Sequence, residues 1–413
     1  MIMIEIPIDL LPHILSFCDQ MSLFRCSSVC RRWRDASRCV LIHDSLVLKI
    51  NYFTNVSLGW QRLIQSPTRI FEWKYARHLT IILVKDLNNI SCITANIVLL
   101  HLANEKGVNL QSLSIRSDAH ALKFQPLYPK LVSGIASMRL TITHLDVDVQ
   151  YELLYSMLRL VHTLSNLKVL CLSCSGVKRG EEVSLNGLSL PADLQKLHVR
   201  TLLIDAGPGP DMGAASFCDW LNSQTRGGKK LKYLSILDHN NLAISEALIR
   251  LSPTTLETLF MSFKGTCMGC RYIETASLTN LRYVIISTPS LPSRAKCITL
   301  FATTVYQTLR RIHSIYLQEI IFIIPLRALD YANVWVPLDR LFSADRFSTV
   351  QCITLAIPSD SWGGRTHESV ISGARQQFTR CLATGRKLQV KSIQSGLDET
   401  WNPFEQDRNA LVL

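Results

Sequence analysis

The sequence predicts a chain of the α+β or α/β class, a small helical module followed by a long run of parallel strands with outer helices. Three observations predict it. Apolar residues in the first forty positions recur at helical spacing. From residue 79 onward a short apolar phrase of strand character recurs many times. Hydrophobic residues make up 47% of the 413 and charged ones 18%, a balance that favours a packed chain over a disordered one. That length accommodates a small module and one large array.

The module is justified first. In "IPIDLLPHILSFCDQM", Leu11, Ile14, Leu15 and Cys18 are spaced i, i+3, i+4, i+7, and Leu10, Ile14 and Phe17 widen the stripe. Pro12 is compatible only with a first helical turn, where its missing N–H has no intrahelical partner. The N-cap is therefore expected near Asp9. In "SLFRCSSVCRRWRDAS", Leu23, Cys26, Cys30 and Trp33 fall on one stripe, and Arg25, Arg31, Arg32 and Arg34 fall mostly off it. Ser22 is placed to cap this run. Helices this short are marginal alone. They can bury one side among themselves, which leaves the other apolar side for a partner.

Residues 6–37, "IPIDLLPHILSFCDQMSLFRCSSVCRRWRDAS", resemble an F-box in order and spacing. The matching positions are Pro7, Leu10, Leu11, Ile14, Leu15, Ser16, Phe17, Leu23, Val29, Cys30, Arg31, Trp33 and Arg34. Departures are Ile6 and Cys18 for leucines, and Pro12. The resemblance implies a three-helix module that docks on the Skp adaptor of Skp–cullin–F-box ubiquitin ligases, with the rest of the chain binding a protein substrate. It assigns Pro7, Leu10, Leu11, Ile14, Leu15, Leu23, Val29, Cys30 and Trp33 to the adaptor-facing surface or the module's core. Trp33 is expected to contribute most to docking, since buried tryptophans often dominate interfaces.

The body follows. The phrase apolar-x-x-apolar-x-apolar appears as "LQSLSI" (110–115), "ITHLDV" (142–147), "LKVLCL" (167–172), "LQKLHV" (194–199), "LKYLSI" (231–236), "LETLFM" (256–261), "LRYVII" (281–286) and "VQCITL" (350–355). Its middle residues are Leu113, Leu145, Leu170, Leu197, Leu234, Leu259, Val284 and Ile353. Several gaps are 25 to 27 residues, which resembles a leucine-rich repeat. A further unit is expected around "LRRIHSIYL" (309–317), and "IIFII" (320–324) suits a buried strand. Outer-helix candidates are 151–164, 215–224, 243–251 and 297–309. The consensus Asn or Cys after the last Leu is mostly missing, so the expected array is an irregular, degenerate solenoid.

Residues 334–357 resemble the last unit of large fungal F-box families with degenerate leucine-rich tails, in which a helix near Leu338-Asp339 precedes a final strand. Residues 366–393 are expected to close the array with a helix and a short strand. The predicted organisation is a module at 1–45, a linker at 46–75, the array at 76–395 and a tail at 396–413.

A strand directs alternate side chains to opposite faces. Ser114, Asp146, Cys171, His198, Ser235, Phe260 and Ile285 should therefore form a row on the inner face. The row turns apolar at Phe260 and Ile285, which marks these two, with Arg282, as the expected substrate contact.

Thirteen cysteines with no export signal suggest free thiols in cytosol or nucleus. Cys171/Cys174 and Cys267/Cys270 each have metal-ligand spacing, but the pairs lie far apart with no histidine near, so no metal or cofactor is expected. The net charge of +12 is spread along the chain, with dense clusters at "RGGKKLK" and "LRRIH" and no nucleic-acid recognition motif. Neither nucleic acid nor membrane is expected as a partner. No catalytic motif is present, and the chain is not expected to be an enzyme. Two other functions remain open at this point: an F-box scaffold that acts without degradation, and a basic solenoid that binds nucleic acid.

Overall fold

A computed structural model describes residues 46–50, 77–83, 98–104, 110–117, 134–138, 141–148, 164–173, 201–205, 231–236, 246–250, 254–263, 272–288 and 295–393, less isolated positions, together with parts of 10–37. The chain divides into two compact units.

Among the described residues, the first unit holds a short helix α1 (Leu11–Leu15) and five strands, β1 (Leu46–Ile50), β2 (His78–Leu83), β3 (Ser112–Ser117), β4 (His144–Asp148) and β5 (Val169–Ser173). The strands pair in parallel in chain order. Because the side-chain period is two, one buried face needs a fixed register. Leu79, Leu113, Leu145 and Leu170 share one row and are at most 1% exposed. β1 lies inside the stretch expected to be a linker: "LVLKI" continues the strand run upstream of the first recognised phrase.

The second unit holds β6 (Thr201–Asp205), β7 (Tyr233–Ile236), β8 (Thr258–Ser262), β9 (Tyr283–Ser287), α2 (Ala295–Arg310), β10 (Glu319–Ile323), α3 (Ala332–Phe342), β11 (Cys352–Pro358), α4 (His367–Gln377), α5 (Thr379–Ala383) and β12 (Lys387–Ile393). Again the strands pair in parallel in chain order. Leu202, Leu234, Leu259, Val284, Ile320, Ile353 and Leu388 occupy one row.

This register corrects two sequence assignments. Leu202, not Leu197, aligns with Leu234, so the strand of that repeat is "TLLID"; "LQKLHV" lies outside the described residues. The extra unit is "LQEIIF", displaced from the expected "LRRIHSIYL", because α2 runs on to Arg310 and a turn follows. The helix expected at 297–309 is α2, and "IIFII" supplies most of β10.

Seven strands, β3, β4, β5, β8, β9, β10 and β11, are entered in the same way. The carbonyl of Arg77 accepts the N–H groups of both Gln111 and Ser112 at 2.9 Å. The carbonyls of Gln111, Thr143, Lys232, Glu257, Arg282 and Gln318 each take two N–H groups of the next strand at 2.7–3.3 Å. A carbonyl has two lone pairs, so one acceptor can hold two donors. The apolar residues just before six of these positions, Leu110, Ile142, Leu231, Leu256, Leu281 and Leu317, are buried, and all but Leu231 are at most 1% exposed.

The last part of the second unit packs around aromatic rings. Trp335 on α3 meets Phe322 of β10 edge-on, with centroids 5.4 Å apart, and Phe378 between α4 and α5 at 5.4 Å. Its Nε1–H donates to the Ala328 carbonyl at 2.8 Å, which satisfies the ring's one polar group. α3 begins at Ala332, earlier than the sequence suggests, and continues through Pro337. The expected closing helix is split in two at Phe378.

Candidate functional site

Two surfaces are candidates, one on the helical module and one on the strands. In the module, Leu11 and Leu15 are 2% and 1% exposed and cluster with Ala36; Cys18, Cys26 and Trp33 pack against them. Leu10 and Ile14 lie one turn apart, joined by Ile14 N–H donating to the Leu10 carbonyl at 3.0 Å, and they are 50% and 45% exposed. Val29 is 67% exposed and Cys30 is also exposed.

The sequence-assigned positions thus separate into two sets. Leu11, Leu15 and part of Trp33 hold the module together. Leu10, Ile14, Val29 and Cys30 face outward. Pro7 and Leu23 lie outside the described residues. Pro12 falls in the first turn of α1, where a missing donor costs nothing. The single stripe through Cys26, Cys30 and Trp33 is not continuous: the chain leaves helical geometry at Val29 and Cys30, which turns the Cys30 side outward.

On the strands, Ser114, Asp146 and Cys171 share a row, as do Ser235, Phe260 and Ile285. Ser114 Oγ donates to Asp146 Oδ2 at 2.7 Å. The rows are in register, but the expected open apolar patch does not exist. Phe260 and Ile285 are 3% and 0% exposed and belong to a second core with Tyr233, Ile321, Ile323, Ala356 and Ile393. The expectation assumed one buried face; parallel strands are commonly buried on both. Phe260 and Ile285 cannot touch a partner from that position. Arg282 remains exposed just before β9.

The same face is open nearer the strand entries. Tyr283, Glu319 and Cys352 are partly exposed, and Lys387, Gln389 and Lys391 are exposed. Thr354 Oγ1 donates to Glu319 Oε1 at 2.5 Å, and Tyr283 Oη donates to Gln318 Oε1 at 3.3 Å. Burial pushes the Cys352 thiol up and Glu319 adds to this, while the Thr354 hydroxyl and the charges of Lys391 and Lys387 pull the other way. Sequence reasoning missed this polar stretch, because it ranked the row by apolar character alone.

Among the described residues, no group of three or more His, Cys, Asp or Glu could hold a metal ion, and no helix is long and apolar enough to cross a membrane. Cys174, Cys267 and Cys270 lie outside the described residues. No curated protein matches the chain. Residues 3–44 match the family model described as F-box domain, and the outward Leu10, Ile14 and Val29 fall within that match: the chain carries an F-box domain.

Proposed function

We propose that this chain is the substrate-recognition subunit of a Skp–cullin–F-box ubiquitin ligase, with the F-box docking on the Skp adaptor and the strand array holding a protein to be ubiquitinated. The observation that carries this reading is the outward set Leu10, Ile14 and Val29 inside a matched F-box. Large apolar side chains that a small module leaves in water favour a partner that covers them. The array is read as a degenerate, leucine-rich-repeat-like solenoid of the fungal F-box type. Strand order equal to chain order within each unit, a buried apolar residue in a common row on most of the described strands, and a strand entry shared by seven of them support that reading. Such a chain acts in cytosol or nucleus and needs no active site. It raises the effective concentration of a substrate lysine beside a ubiquitin carrier on another subunit.

The test is co-purification of the full chain with the Skp adaptor and the cullin. Ile14→Asp and Val29→Asp are expected to weaken adaptor binding by about 2 kcal/mol or more each, a hot-spot loss, with an unchanged far-UV spectrum. Wild-type affinity in both variants sinks the docking surface. Adaptor binding without cullin recruitment, or without accumulation of any protein when the chain is deleted, favours the non-degradative scaffold.

A further inference from the structure

The last strand, β12, is paired with β11 on one side only among the described residues. Lys387 N–H donates to the Gln351 carbonyl at 2.9 Å. Backbone groups alternate along a parallel strand, so Lys387, Gln389 and Lys391 turn theirs toward β11. Leu388, Val390 and Ser392 turn theirs outward. The contact between Val390 O and His367 Nε2, at 3.4 Å, lies on that outward side. The side chains alternate as well. Lys387, Gln389 and Lys391 are exposed, while Leu388 and Val390 are half-buried.

The two lysines differ from many cations of the described residues. Lys232 pairs with Glu257, Arg250 with Glu246, Arg311 with Glu274 and Arg365 with Asp330. Among the described residues, Lys387 and Lys391 have no carboxylate within ion-pair distance, and the nearby Glu319 is turned to Thr354. Two ammonium groups with no ion-pair partner among the described residues thus stand four residues apart on one face of a strand whose outer edge pairs with no other described strand and meets His367 only at the Val390 carbonyl.

We propose that the β12 edge accepts an extended acidic segment of a protein as an added strand. This rests on the reading of the chain as a substrate receptor and names the substrate class. Main-chain bonds to the N–H groups of Leu388, Val390 and Ser392 and to the carbonyls of Leu388 and Ser392 supply affinity, and side chains opposite Lys387 and Lys391 supply specificity. The preferred segment carries carboxylates four positions apart, a spacing that matches the lysines only when the segment is extended. A nucleic acid is disfavoured, because this face offers two cations and one carboxylate where a phosphate backbone needs a longer cationic track.

The experiment uses the purified full chain and a fluorescein-labelled heptapeptide with glutamates at its second and sixth positions and threonine or valine elsewhere. Binding is followed by fluorescence polarisation. The Kd is expected to rise at least tenfold for Lys387→Glu with Lys391→Glu, for a peptide with glutamines in place of the glutamates, and for Val390→Pro, which removes an outward N–H. The lysine variants keep the proposal testable should Val390→Pro fail to fold. Equal binding by wild type and the lysine variants overturns it, as does no binding by wild type. Displacement of the peptide by a single-stranded oligonucleotide of equal charge, at equal concentration, also overturns it. A pull-down of the Skp adaptor on the same preparations separates the two readings. Adaptor binding without peptide binding removes the β12 site alone, and the reverse removes the ligase assignment alone.

Discussion

Asp339 is 4% exposed, and its two carboxylate oxygens accept the backbone N–H groups of Arg380 at 3.1 Å and Cys381 at 2.8 Å. α3 thereby supplies the missing N-terminal partners of α5 from forty residues upstream in the chain. Asp339→Ala leaves one buried and one partly buried donor unmet and is expected to cost about 2 kcal/mol, read as a lower urea midpoint, with Asn recovering part of the loss. A wild-type midpoint in the Ala variant removes this account. The neighbouring Cys381 thiol is pushed up to about 11 by burial, with Asp339 adding to the rise and Arg386 opposing it. A raised thiol keeps its proton in the folded chain while the unfolded chain loses it near 9.0. Stability that is intact at lower pH should therefore fall as pH rises through about 9 to 11. Cys381→Ala should flatten that decline, measured by urea midpoints at several pH values. Among the described cysteines, thiol labelling at neutral pH should reach the exposed Cys30 first and the 2%-exposed Cys381 last.

At the scale of single elements, one side chain of α3 meets several neighbours at once. Trp335 touches Phe322 and Phe378 and donates to the Ala328 carbonyl. Trp335→Ala is expected to destabilise by about 3–5 kcal/mol, and Trp335→Phe by less, since Phe keeps most of the volume and loses the hydrogen bond. Calorimetry of the two variants checks the order. The strands were the legible part of the sequence, because Leu at the entry and Leu three residues on both report burial. α2 was legible for the same reason, with a long amphipathic run and no breaker. α3 was placed too late because the family resemblance sets the helix start near Leu338-Asp339, yet the helix begins at Ala332 and buried Trp335 and Phe342 hold it through Pro337. The outward Leu10, Ile14 and Val29 could be listed from the motif, but their separation from Leu11 and Leu15 needed coordinates. The wrong assignment of Phe260 and Ile285 has one cause: alternation says which residues share a face, not whether that face is covered.

On the scale of the whole molecule, strands follow one another in chain order within each unit, so most contacts join neighbours in a line. The end of such a line opens most easily. In the second unit, amide exchange should be slowest in β9 and β10, each held on both sides, and fastest on β12. Within β12, the N–H groups of Leu388, Val390 and Ser392 should exchange before those of Gln389 and Lys391. Uniform protection along β12 contradicts the edge geometry. The strand entries have a different consequence. At Arg77, Gln111, Thr143, Lys232, Glu257, Arg282 and Gln318, the repeating contact is made by a main-chain carbonyl, and the residues themselves are cationic, anionic or neutral. Any amino acid presents that carbonyl, so the bond that spaces the strands places no demand on the side chain beside it. Mutation at these positions can rewrite a line of charge along either unit without disturbing the spacing of its strands, which gives a lineage of such proteins a place to acquire new partners at little risk to folding.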